Sequence, residues 1–573
     1  MRRRAPRFAR ILSVALLLVA VGASRPSPAA ATLSIGAKLD PVLQSLIGRP
    51  GRARVILRAD SPLLLSSVLP VVALVGGHVV RPLPVIAGAA IDLPIAAVTS
   101  LAASSLVAHL SLDRNVAGAM ERTGATVGAT AVRSRLGLDG SGVGVAVIDS
   151  GVTPWHDDLG NGDGGQRIDR FVDFTSSRAD PYDDFGHGTH VAGIVAGNGA
   201  DSGGARTGIA PGVHLTVLKV LDGQGHGRIS DVIAAIGYAV TNRDALHLRV
   251  VNLSVAAGVY ESYLLDPLTL AARQAVDAGI VVVAAAGNNG RSVEGHIQYG
   301  GITAPGNAPW VLTVGASSHM GTADRADDTM AAFSSRGPSA IDANAKPDLV
   351  APGVGIESLS DPSGQLYALH PEALLPGTVA TAYEPYMSLS GTSMAAPVVT
   401  GTVALMLQAN PSLTPNAVKA ILQFTAQTYA GYDPLTQGAG FLNADGAVSL
   451  AAWYAAPAST PYPDRSAWTG HVIWGNRMLS GAALSPDLVS WALGVVWGDP
   501  AQALVSSLDN VVWGALCGGL DCPIAWNNQL VTSTGDGEGA TVVWGTSDGE
   551  GDTVVWGTSC TDPSCDTVVW GRQ

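Results

Sequence analysis

The stretch VGVAVIDSG (Val143–Gly151) decides the fold: a run of small and β-branched apolar residues, Val143–Ile148, ends in an aspartate, Asp149, and a glycine turn. An apolar run of that length bounded by turn residues reads as a strand buried on both faces. Four more follow: HLTVLKV (His214–Val220), RVVNLSV (Arg249–Val255), IVVVAAA (Ile280–Ala286) and WVLTVGA (Trp310–Ala316). Between them, DVIAAIGYAV (Asp231–Val240) and DPLTLAARQAVDAG (Asp266–Gly279) carry helical periodicity. Strands alternating with helices imply an α/β fold of three layers with a mostly parallel central sheet. Ligands of such sheets sit at the carboxyl ends of the strands, which is where Asp149 falls.

Working outward, the chain has 573 residues, 47% hydrophobic and 14% charged, with a net charge of −13. That composition excludes charge-driven disorder for the bulk of the chain, and the acidic balance argues against a nucleic-acid partner. MRRRAPRFAR followed by ILSVALLLVAVGA reads as a secretory signal peptide over residues 1–31, with Ala29 and Ala31 as small residues for cleavage. The mature chain is expected to be secreted and to carry no transmembrane segment, because Pro, Gly or charge interrupts every later apolar run. Residues 52–114 read β-α-β-β-α-β, a small α+β ferredoxin-like domain with no cluster of acid, base and nucleophile.

The candidate chemistry lies in three segments. Asp149 follows the deciding strand; His187 and His190 lie in FGHGTHVAGIVAG; Ser393 lies in LSGTSMAAPVVTGTVALML, at the start of an apolar helix whose N–H groups favour developing negative charge. Singly, each has an ordinary structural explanation as a turn residue, a helical histidine or a helix cap. Together, in the order Asp, His, Ser, they describe nucleophilic acyl transfer.

These segments resemble the signatures of the subtilisin-like serine peptidases, the subtilase family, and AAAGNNG (Ala284–Gly290) resembles a fourth. The resemblance covers about Thr123–Leu450 and implies the subtilisin-like fold. It casts Ser393 as nucleophile, His187 as its base, Asp149 as the group orienting that base, and the Asn288 side chain with the Ser393 backbone N–H as oxyanion donors. It implies polypeptide substrates laid along strand ends Ser254, Val255 and Ala256, and Ala285, Ala286 and Gly287. After NLS the chain departs from the family's glycines with Ala256 and Ala257, two methyls expected to narrow the pocket for the residue before the cut. No cofactor is required for catalysis. A structural calcium ion is compatible with the family, yet neither GNGADSGGARTG (Gly197–Gly208) nor DDLGNGDGG (Asp157–Gly165) matches its calcium loops convincingly. The segment Ser360–Met387 reads as an insertion, either a rim over the cleft or a tolerated surface loop.

The resemblance also gives the early domain a meaning, as a propeptide over 32–119 that assists folding and inhibits until autoprocessing between Asp113 and Ala125, with the catalytic domain at 120–452. Residues 453–573 match nothing in the family. They carry ten of the twelve tryptophans, and VIWG or VVWG recurs six times, at Trp474, Trp497, Trp513, Trp544, Trp556 and Trp570. All four cysteines, Cys517, Cys522, Cys560 and Cys565, lie there too, and export favours neighbour-to-neighbour disulfides. The tail is expected to be β or partly disordered, its tryptophans forming the core of a small stapled unit or stacking on glycans at a cell surface. The latter use makes a surface-binding protein, whose peptidase only matures the chain, the competing reading.

Overall fold

The computed structural model describes residues 38–480 apart from 114, 119–123, 163, 293–294, 321–322, 324 and 476, and in the tail 484, 492–493, 496–497 and 511–512. The signal segment, the four cysteines, and Trp513, Trp544, Trp556 and Trp570 lie outside the described residues.

The central sheet has eight strands. In spatial order seven run Thr329–Met330, Leu312–Ser318, Val281–Ala285, Leu248–Leu253, Gly144–Asp149, His214–Lys219 and Ile168–Asp173, and Leu349–Pro352 pairs with Leu312–Ser318. All pairings are parallel except that of Thr329–Met330. Side-chain alternation builds two cores from one strand. Val145 and Val147 pack with helices His187–Ala196 and Thr392–Ala409, while Ala146 and Ile148 pack with helices Ile229–Thr241 and Pro267–Asp277 on the opposite face. The Thr392–Ala409 helix is apolar and long enough to cross a membrane, but 89% of it is buried in this core.

The early domain forms β-α-β-β-α-β as read, with its antiparallel sheet in the order His78–Leu83, Gly88–Pro94, Arg52–Arg58, His109–Leu112. Its own core lies on one side of that sheet, and Ile56, Leu83, Ile86 and Ala90 join the core around helices Ile229–Thr241 and Pro267–Asp277. Charge reinforces the docking: Arg54 pairs with Asp113, which also accepts from Ser230 N at 2.8 Å, and Arg81 pairs with Asp231 at 3.0 Å. The buried Glu261 takes both His109 and the Ser111 hydroxyl.

The first two tryptophans of the VIWG/VVWG repeat are structural. Trp474 and Trp497 are buried with ring centroids 4.7 Å apart, and Trp497 Nε1 donates to Ile473 O at 3.0 Å. They pack on the catalytic body at helix Pro415–Thr425 rather than within a separate unit. Lys419 lies 4.9 Å from the Trp497 ring, and Gln423 Oε1 accepts from Ile473 N at 2.6 Å. Below them Asp348, fully buried, holds both Lys346 and Lys419 at 2.9 Å.

Candidate active site

Asp149 is the last residue of its strand and fully buried. Its Oδ1 accepts from Ser150 N at 2.7 Å and meets His187 Nδ1. A carboxylate can only accept, so Nδ1 carries the ring proton and Nε2 keeps its lone pair. That Nε2 has no hydrogen-bond partner among the described residues.

His187 opens its helix after Gly186, whose φ of 100° a side chain would oppose. The turn is held by Asp183, whose buried carboxylate gathers five hydrogen bonds from four residues. Oδ1 accepts from Ser150 Oγ at 2.8 Å and Gly186 N at 2.8 Å, and Oδ2 from Thr189 N and Oγ1, both at 2.7 Å. Ser150 Oγ in turn accepts from Gly188 N at 2.8 Å, tying the aspartate strand to the histidine helix. The other histidine of the motif, His190, points away and donates from Nε2 to Met387 O at 3.1 Å; burial drives its pKa well below the ordinary imidazole value.

Ser393 is the second residue of the long core helix and is almost wholly buried. Its carbonyl accepts from Ser254 Oγ at 2.6 Å; Ser254 Oγ accepts from Asn252 Nδ2 at 2.9 Å, and Asn252 Oδ1 from Thr400 Oγ1 at 2.8 Å. A buried relay thus fixes the serine's backbone from the neighbouring strand. Asn288 is oriented equally tightly. Its Oδ1 accepts from Thr392 N at 2.9 Å and Thr392 Oγ1 at 3.0 Å, and because a backbone N–H only donates, the amide NH2 must face the other way.

The strand edges are used differently from the sequence expectation. Val255–Ala256 pairs antiparallel with the chain's own Asn115–Gly118, and that segment pairs on its other side with His226–Arg228. Ala286 and Gly287 spend their backbone groups internally: Ala286 N donates to Val314 O, Thr303 N to Ala286 O, Gly287 N to Thr392 Oγ1 and Ser335 N to Gly287 O. Their backbone groups are thus spent within the fold, and the second strand flanking Asn115–Gly118 is His226–Arg228. Ser254 holds the nucleophile's backbone through its side chain. Ala257 is buried and pairs with Ala304, while Ala256 is half-buried. Sequence reasoning passed over His226–Arg228, Asp183, Ser150, Asn252 and Thr392; only Asp183, a carboxylate four residues before a helical histidine, carried a local signal, that of a helix cap.

One buried cluster falls where calcium was considered. His156, Asp158 and Asp201 offer ligand atoms within 4.8 Å of one another. Asp158 already accepts from Asp201 N at 2.8 Å and Tyr386 Oη at 2.9 Å, and His156 Nδ1 from Asp158 N at 3.2 Å. Asp201 Oδ2, buried and without a hydrogen-bond partner among the described residues, is left, with His156 Nδ1 at 3.7 Å. Calcium takes six to eight oxygen ligands, which this trio does not supply.

A buried carboxylate, an imidazole oriented by it and a serine at a helix N-terminus, set beside two edges that pair with extended chain, define the class of serine hydrolases acting on peptides. Residues 140–447 match the Subtilase family, and the chain belongs to that family of serine peptidases. It is 38% identical over 361 residues to Serine protease AprX of Bacillus subtilis (strain 168), covering 62% of this chain and 77% of the relative. It is 34% identical over 377 residues to Subtilisin E of the same strain, covering 65% and 84%. Its fold resembles that of fervidolysin from Fervidobacterium pennivorans, described as a keratinolytic enzyme related to subtilisin, with a TM-score of 0.55 and 24% identity. That likeness covers 75% of this chain and 63% of fervidolysin.

Proposed function

We propose that the protein is a secreted, self-processing serine endopeptidase. Ser393 Oγ attacks the scissile carbonyl while His187 Nε2 takes its proton and later delivers it to the leaving amine. Asp149 keeps the imidazole in the required tautomer and stabilises the imidazolium. The Asn288 amide and the Ser393 N–H receive the oxyanion. Substrate is read mainly by its backbone, sandwiched between Val255–Ala256 and His226–Arg228, and Ala256 and Ala257 favour a small residue before the cut.

The observation that carries this reading is Asn115–Gly118 lying as the middle strand between those two edges. It follows directly on the docked early domain, so that domain is the propeptide and its C-terminal end occupies the cleft as product-like strand. Cleavage falls after this strand, between Gly118 and Gly124. The burial of Trp474 and Trp497 against the catalytic body favours peptidase over adhesion, since neither ring is presented for stacking.

The test compares secreted parent with Ser393→Ala by intact mass and by cleavage of unfolded casein. A new N-terminus among residues 119–124 and casein cleavage, both absent from the variant, are expected. Processing without casein cleavage would restrict the activity to maturation. A peptide library cut efficiently after Phe or Tyr would overturn the small-residue preference.

A further inference from the structure

The insertion leaving the strand Ile356–Leu359 does not lie loose over the cleft. Its Asp361–Gly364 turn closes on itself, with Gly364 N donating to Asp361 O at 2.9 Å and Ser363 N and Oγ to Asp361 Oδ1 at 2.9 and 2.6 Å. The next two N–H groups leave the insertion: Gln365 N donates to Asp184 O and Leu366 N to Phe185 O, each at 3.0 Å. Those carbonyls belong to the turn that sets up His187. Backbone meets backbone alongside, for a Cβ on Gly364 would lie 2.9 Å from both Gly186 Cα and Gly186 N. The turn is therefore gripped from two sides, by the Asp183 carboxylate within and by the insertion without.

We propose that the Asp361–Leu366 segment is a positioning clamp for the catalytic histidine, with Gly364 fixing the turn by contact and Asp361 setting the charge beside it. This rests on the serine-peptidase reading of His187. Asp183 accepts backbone N–H groups on both oxygens, from Gly186 and Thr189. Asp361 is buried, and its Oδ2 has no hydrogen-bond partner among the described residues. Burial first, then Asp183 and more weakly Asp184, push Asp361 up to about 6. The charged groups on the gripped turn are Asp183, Asp184 with its partner Lys219 at 2.6 Å, and His187 itself. Ionising Asp361 adds a second buried negative charge beside the turn that carries His187.

The test uses the full processed enzyme. Active-site titration with a fluorophosphonate counts competent molecules, so that misfolded protein does not enter kcat. Gly364→Ala is expected to lower kcat about 10- to 100-fold with KM little changed, as misplacement of the order of 1 Å costs. Asp361→Asn, isosteric and neutral, is expected to keep kcat at pH 5 and to move the acid limb of the kcat/KM profile to lower pH. Val379→Ser, on the exposed part of the insertion, should leave kcat and profile alone. Parental kcat in Gly364→Ala together with a parental profile in Asp361→Asn would overturn the clamp. A parent that takes no label at Ser393 would instead sink the peptidase reading itself.

Discussion

Replacing Asp149 by Asn separates two roles of that carboxylate. Asp149 Oδ1 is shared between His187 Nδ1 and Ser150 N–H, the latter at 2.7 Å. In the variant the backbone N–H still demands an acceptor, so the amide oxygen stays where Oδ1 was and the imidazole keeps its tautomer. What is lost is the charge facing the imidazolium. Two unit charges about 4 Å apart interact by about 4 kcal/mol at an effective dielectric of 20, roughly a thousandfold in rate. Had the tautomer been lost as well, the fall would be about 10,000-fold. Single-turnover acylation of a chromogenic peptide ester, normalised to fluorophosphonate-reactive sites, reads this step directly. A fall of about a thousandfold in kcat with KM near parental is expected. A fall of tenfold or less would refute the electrostatic role, and a 10,000-fold fall would refute the anchoring of the amide by Ser150.

Asn288→Leu should lower kcat about 100- to 1,000-fold with KM nearly unchanged, a figure established for the oxyanion asparagine of subtilisin itself rather than worked from this site. Asp348→Asn strips Lys346 and Lys419 of their common partner; breaking buried pairs costs about 3–5 kcal/mol, and denaturant titration of the inhibited enzyme should show a loss of that order. Asp173 accepts from Thr175, Ser176, Arg178 and Tyr182, which holds its carboxyl well below the usual carboxylate range despite burial. A depressed folded pKa contributes stability above the unfolded value that is lost as pH falls towards the folded one; Asp173→Asn should therefore flatten the acid side of the melting-temperature profile. Chelation with EDTA should leave kcat/KM unchanged, since Asp149, His187, Ser393 and Asn288 act through proton transfer and hydrogen bonding; a loss of activity would show that a metal supports the fold or the site.

What could be read from the sequence was whatever chemistry is local. Val143–Ile148 can only be a doubly buried strand, and Asp149 at its end is placed by the fold class alone. Of the paired histidines of HGTH, the family resemblance picks His187, and His190 turns to Met387. His226–Arg228 could not be found in this way, because HGR has no apolar pattern and is a strand only where Asn115–Gly118 lies against it. That the N–H and C=O groups of Ala286 and Gly287 are spent within the fold was not legible either, because their partners Val314, Thr303, Ser335 and Thr392 are all distant in sequence. The insertion's grip on the histidine turn is likewise backbone to backbone, and backbone contacts leave almost no trace in residue identity. Tryptophan repeats announce burial or stacking equally well, and only the burial of Trp497 beside Lys419 distinguishes them for that ring.

The occupied cleft also fixes the stoichiometry of restraint. If Asn115–Gly118 blocks the cleft as proposed, each molecule carries a single blocking strand on its own chain, so that while the link is intact the local concentration of blocker is of millimolar order and does not depend on how many molecules are present. Once the link is cut, blocker and enzyme part as a one-to-one pair that only dilution or destruction of the blocker can separate. On that proposal, activity would respond to the volume into which the protein is released: the same number of molecules would stay silent in a crowded compartment and become active in an open one.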